Sequence, residues 1–365
     1  MMHTNGPVLR SMTATAVKLP MKRPLGTSAK SISEACLLLV DLLTQDGIQG
    51  RAYAFCYQPA IARSLVPIVA ELSEQLAGSP LLPVDLAHAV ARHFKLPGLT
   101  GPLAMVTSSV DTAVWDALAK SFGKPLAVYL GASPQPIRAY NSSGLGLMPP
   151  DAAADEAEAL LAGGFTAVKL RLGRSNFELD LAAVRAVRRR VQDSVRLMID
   201  FNQALTFSDA MQYALALDDE GIYWIEEPIR HDDYPHMAQI AQVARTPIQI
   251  GENFTGLGPM AAALEARSSD YVMLDLDRIG GVTGWQRASG LASPYNREVS
   301  SHLFPEVSAH LLAATPGRHW LEYVDWANPI LQEPLRIKDG LAMPSSGPGN
   351  GLAWNDDVVA KFRLT

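Results

Sequence analysis

Arg196-Leu-Met-Ile-Asp200, Tyr223-Trp-Ile-Glu226, Ile248-Gln-Ile-Gly-Glu252, Tyr271-Val-Met-Leu-Asp275 and Glu298-Val-Ser-Ser-His302 are five short, mostly apolar segments, each closed by an acid or a histidine. Their closing residues are 26, 26, 23 and 27 positions apart. One strand, one helix and two short loops take about that length, so the repeat predicts consecutive β/α units of a parallel barrel. Enzymes built on such barrels carry their chemistry at the C-terminal strand ends. Carboxylates brought together there repel one another unless a hard cation sits among them. Asp200, Glu226 and Glu252, on three successive units, are therefore expected to form a divalent metal site. Any one of them alone could equally cap the following helix; three in register argue for a ligand set.

The rhythm extends in both directions. Ile137-Arg-Ala-Tyr140 is expected as the first strand, with an Ala/Glu-rich helix over 151–163. Ala167-Val-Lys-Leu-Arg171 follows as the second strand, then an amphipathic helix over 177–191, and Trp320-Leu-Glu322 closes the series. Upstream, 8–19 and 35–43 read as strands and 59–77, 84–94 and 107–122 as helices. The Pro-, Gly- and Lys-rich stretch 20–30 reads as a lid loop. The chain thus divides into an N-terminal α+β capping domain (1–130), a barrel (131–335) and a C-terminal segment (336–365) that packs back on the capping domain. Its Pro344–Gly351 stretch is a turn-rich loop and not a phosphate loop, since no strand precedes it.

With 48% hydrophobic and 19% charged residues, the 365-residue chain has the composition of a globular protein with a large core. A net charge of −6 gives no reason to expect nucleic-acid or membrane partners. Two cysteines, Cys36 and Cys56, are no disulfide framework, and the N-terminus lacks a signal peptide's apolar core, so a cytoplasmic location is expected. No run of apolar residues is long enough to cross a bilayer as a helix.

Around the expected metal, Lys169 and Arg171 alternate on one strand and so share a face. A lysine beside a divalent metal and a second cation has a lowered pKa and can act as a base, whereas arginine stays charged and suits a substrate carboxylate. Asp275, one unit before His302, would fix its tautomer and make it a general acid/base. Glu322 could bond a substrate oxygen and, if protonated, stabilise a developing enolate. Asn202 is a candidate partner of the metal ligands, and one of Glu226 and Glu227 should face the metal while the other meets a basic residue. The remaining histidines (His3, His88, His93, His231, His236, His310, His319) have no comparable partners.

These residues carry a resemblance. Trp224-Ile-Glu-Glu-Pro228, Gly251-Glu-Asn253, Ile279-Gly-Gly-Val-Thr-Gly-Trp285, Ser300-Ser-His-Leu-Phe304, Ser308–Pro316 and His319-Trp-Leu-Glu322 are together similar to the enolase superfamily, mandelate racemase subgroup, over nearly the whole chain. The resemblance implies a modified (β/α)7β TIM-type barrel under an α+β capping domain, and Mg²⁺ on Asp200, Glu226 and Glu252. It implies His302, oriented by Asp275, as acid/base on one face of the substrate. Glu322 would meet the enolate oxygen, and Lys169 and Ser142 the substrate carboxylate. It also implies a small-molecule carboxylate substrate and a symmetric homo-oligomer, often an octamer. One position departs from the pattern: the second lysine of Lys-x-Lys, the base on the opposite face, is Arg171 here.

Racemisation needs two groups that exchange protons, so the departure leaves several readings open. These are a racemase-like enzyme acting on a mandelate-type 2-hydroxy acid, a dehydratase of acid sugars using His302 alone, and a barrel that binds metal and ligand without turnover. Leu25, Ala29, Ile32, Phe55 and Tyr57 are expected to line the pocket and favour an aromatic or aliphatic substituent. Lys22 and Arg23 would sit at its rim, and no polar cluster for a polyol is evident.

Overall fold

The computed structural model describes residues 6–364. Strands β1 (Leu9–Gly26), β2 (Ser31–Thr44) and β3 (Gln49–Phe55) form an antiparallel sheet in the order β1-β2-β3. Helices α1 (Pro59–Leu76), α2 (Pro83–His93), α3 (Pro102–Ser121) and α4 (Leu126–Tyr129) follow. A core of residues such as Leu38, Val40, Leu42, Val69, Leu72, Val110 and Val114 joins this sheet to α1 and α3.

The 20–30 stretch is not a loop. β1 and β2 pair across it as a long hairpin, Leu25 opposite Ile32 and Gly26 opposite Ser31, and only the tip turns, where Thr27 N–H donates to Lys30 O at 3.0 Å. Pro20 and Pro24 read as breakers, but β1 is an edge strand, and the pairing skips register between Pro20 and Leu25. A bulge on an edge is where a strand tolerates proline.

The barrel alternates β4 (Ile137–Asn141), α5 (Pro150–Leu161), β5 (Ala167–Arg171), α6 (Phe177–Arg190), β6 (Arg196–Asp200), α7 (Phe207–Leu217), β7 (Ile222–Glu226) and α8 (Tyr234–Val243). It continues through β8 (Ile248–Ile250), α9 (Leu257–Glu265), β9 (Tyr271–Asp275), α10 (Leu276–Ile279), α11 (Gly281–Ala292), β10 (Glu298–His302), α12 (Pro305–Ala313) and β11 (Leu321–Tyr323). All neighbouring pairs from β4 to β10 are parallel, and β11 pairs in parallel with β4. Ser301 N–H donates to Trp320 O at 3.0 Å and joins β10 to the residues leading into β11, closing the ring. The strands read as near-continuous apolar runs because both faces are covered. Ile199, Ile225, Ile250, Val272 and Leu274 face the helices, while Tyr140, Ala167, Met198, Trp224, Met273 and Trp320 fill the lumen. Helix starts are capped as their sequences suggest: Asn176 Oδ1 accepts from Glu178 N–H, and Thr206 Oγ1 from Asp209 N–H.

The C-terminal segment divides its contacts. β12 (Arg336–Lys338) and β13 (Leu341–Met343) form a hairpin that adds antiparallel to β4, so this part belongs with the barrel. Beyond it, Asn350 N–H donates to the buried Asp116 of α3, and Trp354 Nε1 donates to Asp41 of β2. Helix α13 (Asp356–Phe362) then runs into a pairing between Arg363 and Val17 of β1. Among the described residues no helix is long and apolar enough to cross a membrane.

Candidate active site

The strand-end acids converge. Asp200 and Glu226 end β6 and β7, and Glu252 lies two residues past β8. One oxygen from each lies within 4.8 Å of the others, and all three side chains are buried. Glu252 sits beyond its strand because Gly251 adopts φ +129°, and a Cβ there would lie 2.4 Å from Met273 O. Only glycine fits, and its turn swings Glu252 inward.

Two of the ligand candidates are held from behind. Asp200 accepts from Asn202 N–H (2.7 Å) and Asn202 Nδ2 (2.9 Å), with Asn202 in the left-handed region at φ +45°. Glu226 Oε2 accepts from Trp224 Nε1 at 3.0 Å. Burial raises its carboxyl to about 8, Lys169 opposing the shift and the neighbouring acids adding to it. Glu227 turns away at φ +37° and meets Asn253 Nδ2 (2.7 Å), not the expected basic residue. Burial and then Glu252 push its carboxyl well above the usual range. Asn202 Oδ1, Glu227 Oε1 and Gln249 Oε1 are buried with no partner among the described residues. An all-oxygen, carboxylate-rich set of this kind fits a hard divalent cation.

Lys169 is the compensating charge inside the cluster. Its Nζ lies 2.6 Å from Glu226, 2.9 Å from Glu322 and 3.3 Å from Asp200. Burial opposes the ammonium, but these carboxylates outweigh it and hold its pKa well above the ordinary value; the expected lowering rests on a bound cation, whose charge would oppose theirs. Glu322 is a partner of Lys169. Burial alone would raise its carboxyl, yet Lys169 and His302 pull it far down, and Leu303 N–H donates to it at 3.0 Å. In this arrangement Glu322 meets the Lys169 ammonium and the Leu303 N–H as an acceptor.

His302 Nδ1 lies 2.6 Å from Asp275 Oδ2, as expected. The other Asp275 oxygen accepts from Asp277 N–H and Arg278 N–H and caps α10, so one carboxylate fixes both helix and imidazole. His302 Nε2 faces Glu252 at 3.3 Å and Glu322 at 3.9 Å. Burial disfavours the imidazolium, but Glu252, Glu322 and Asp275 together raise it to about 9.

Above the cluster lies a cavity of about 390 Å³. It is lined by Lys169, Arg171, Asp200, Asn202, Glu252, His302 and Glu322 at its base and by Leu25, Ala29, Ile32, Phe55 and Tyr57 above. Phe55 packs against Tyr57 (centroids 4.5 Å) and Trp326 (4.9 Å), making one wall aromatic. Lys22 and Arg23 are instead engaged outside the cavity, with Asp325 and Glu156.

Ser142 does not reach the cavity. It is buried, and its Oγ accepts from Arg171 Nη2 at 3.0 Å, so the guanidinium stands where a substrate contact was expected. Sequence reasoning also missed Gln58, Gln203, Asn253 and Arg278, which line the cavity and supply polar groups there. Arg278 donates to Tyr57 OH at 3.1 Å and to Asn253. Its signal was its place three residues after a strand-end acid. A second cavity, about 380 Å³, lies between α2, α3 and α11, lined chiefly by apolar residues and holding none of the strand-end ligand candidates.

Residues 10–131 match the mandelate racemase/muconate lactonizing enzyme N-terminal domain, and residues 152–358 the enolase C-terminal domain-like family. An enolase from alpha proteobacterium bal199, solved with bound magnesium, is 41% identical over 98% of this chain and 100% of that chain, with a TM-score of 0.96. An enolase from Bradyrhizobium, solved with magnesium and mandelic acid, is 38% identical over 99% of this chain and 100% of that one, with a TM-score of 0.94. The L-talarate/galactarate dehydratase of Salmonella typhimurium is 28% identical, covering 95% of this chain and 89% of its own. The chain belongs to the enolase superfamily, in its mandelate racemase subgroup.

Proposed function

We propose that the protein is a Mg²⁺-dependent enzyme that removes the proton α to a carboxylate from one face of its substrate, a mandelate-type 2-hydroxy acid. The observation that carries this reading is the pairing of a buried three-carboxylate cluster with a His302–Asp275 dyad 3.3 Å from one of its members, both opening on a single cavity. Asp200, Glu226 and Glu252 would hold the ion. Bound Mg²⁺ would act as a Lewis acid that stabilises the charge developing on the substrate carboxylate.

The chain's own residues do the rest. Lys169 supplies a fixed positive charge to the substrate carboxylate, lowering the cost of the enediolate where it forms. His302 Nε2 accepts the α-proton while the C–H electron pair moves into the enediolate, and Asp275 holds the imidazole in position throughout. The raised affinity of His302 for its proton comes from Glu252 and Glu322, and a cation on the cluster offsets that bias. Arg171 does not supply a second base, because its Nη groups are committed to Ser142 and Gly144. The proton therefore returns from the side it left. The aromatic wall of Phe55, Tyr57 and Trp326, with Leu25 and Ile32 of the hairpin, suits an apolar substituent. The mandelic acid in the 38%-identical enolase supports this choice.

One observation favours a second reading, acid-sugar dehydration. Gln58, Gln203, Asn253 and Arg278 could bind hydroxyls, and a curated relative is a dehydratase of such acids. There His302 would take the α-proton and pass it to the β-hydroxyl. That group would leave as water as its C–O bond breaks, and the enol would become a 2-keto acid. Incubation of the Mg²⁺-loaded protein with mandelate in D₂O, followed by NMR, tests the first reading, which expects loss of the α-proton signal without product. A semicarbazide-reactive keto acid formed from galactarate or talarate, with mandelate untouched, selects the second.

A further inference from the structure

Arg171 is bound into the loop that leaves β4. Its Nη1 donates to Gly144 O at 2.6 Å, its Nη2 to Ser142 Oγ at 3.0 Å, and its backbone N–H to Leu145 O at 2.9 Å. Leu145, buried and at φ +52°, is strained for a branched side chain, so this conformation needs support.

The other side of the same loop carries the β1–β2 hairpin. Gly26 and Gly146 cross backbone to backbone. A Cβ on Gly146 would lie 2.9 Å from the Cα, N and O of Gly26, and Leu147 N–H donates to Gly26 O at 3.3 Å. Nearby, a Cβ on Gly144 would lie 2.8 Å from Arg23 Cδ. Arg23 pairs with Glu156 at 3.4 Å, and Glu156 accepts from Leu145 N–H at 2.5 Å. Lys22 reaches Asp325 at 3.8 Å, and Asp325 N–H donates to Ser143 Oγ at 3.2 Å. Three attachments of the hairpin's outer arm thus run to residues 142–147, directly or through one intermediate. The hairpin in turn places Leu25, Thr27, Ala29, Lys30 and Ile32 on the cavity.

We propose that Arg171 is a positioning residue that clamps the 142–147 loop and thereby seats the hairpin over the cavity. The inference rests on the reading of that cavity as the substrate site, but not on which reaction occurs there. A guanidinium is suited to the task because its rigid fork spans the Gly144 carbonyl and the Ser142 hydroxyl at once, which a single ammonium does less well.

The test is hydrogen–deuterium exchange of the full chain, read over residues 22–32. Arg171→Lys is expected to raise exchange there roughly tenfold, the scale of a lost charge-assisted hydrogen bond, while Mg²⁺ affinity by calorimetry stays at the wild-type value. In Gly146→Ala, which leaves the carboxylate cluster, His302 and position 171 untouched, KM for the substrate should rise more than kcat falls. Gly146→Ala should loosen the same peptides from the other side of the contact, and Ser142→Ala should do so by a smaller factor. Wild-type exchange over 22–32 in folded Arg171→Lys overturns the clamp. If that variant does not fold, unchanged exchange in Ser142→Ala overturns it instead. Exchange does not depend on turnover. A loosened hairpin in a protein that never removes an α-proton would therefore sustain the clamp and sink the functional reading alone.

Discussion

The two ends of the barrel each bury a histidine, and the two behave in opposite ways. At the floor, His319 packs among Tyr223, Tyr271, Trp224 and Trp320 and bonds Tyr223 OH at 2.8 Å. Burial, helped by Arg138, lowers it to about 3, so it is neutral. At the mouth, His302 is also buried, at the base of the cavity, yet three carboxylates raise it to about 9. The same strands supply both environments. β10 contributes Ser300 to the floor histidine and His302 itself to the mouth. Burial alone silences a titratable group, whereas burial among fixed opposite charges arms it. The floor is a packing solution and the mouth an electrostatic one.

Four substitutions sharpen or break that contrast. His302→Asn has the largest expected effect, a loss of about 10²- to 10⁴-fold in α-proton exchange, the usual worth of a general base. Exchange at the wild-type rate would exclude His302 as that base. Trp224→Ala, which empties the middle of the lumen, should cost about 3–5 kcal/mol in urea unfolding. A cost below 1 kcal/mol would mean that the lumen does not carry the fold. Glu252→Gln leaves packing almost untouched and should weaken Mg²⁺ binding by roughly ten- to a hundredfold in calorimetry. Unchanged affinity would remove Glu252 from the ligand set.

His319→Gln is the mildest. The neutral histidine contributes stability above its unfolded pKa near 6.5, and this is lost as pH falls from there toward about 3. In that window the wild type should lose up to about 1.4 kcal/mol per pH unit more than the glutamine variant, while α-proton exchange stays within a few-fold. Parallel urea midpoints of the two proteins from pH 7 to pH 4 would contradict this.

Much of the mouth was legible in the sequence because barrel chemistry is periodic. Asp200, Glu226, Glu252, Asp275 and His302 announce themselves by spacing, and an acid at the end of an apolar strand has one place to go. What could not be read depends on partners far along the chain. Glu322 is met by Lys169 from another strand, and neither position says so alone. Ser142 is taken by Arg171 from the next strand, in a loop that turns through Leu145 in a left-handed conformation, and no local residue pattern signals either. The hairpin was hidden by Pro20, Pro24 and Gly26, whose local preference for a turn is overridden by an edge position and a register slip. Trp326, three residues beyond the last barrel strand, joins the aromatic wall only through its contact with Phe55.

In the proposed reaction His302 removes the α-proton from one face, while Asp200, Glu226 and Glu252 would hold the ion that stabilises the developing charge. The most direct measurement is α-proton exchange of each mandelate enantiomer separately in D₂O, by NMR, with configuration followed by chiral chromatography. The account predicts magnesium-dependent exchange of one enantiomer, without inversion. Exchange of both enantiomers with inversion would contradict it, since a second base would then have to act despite Arg171.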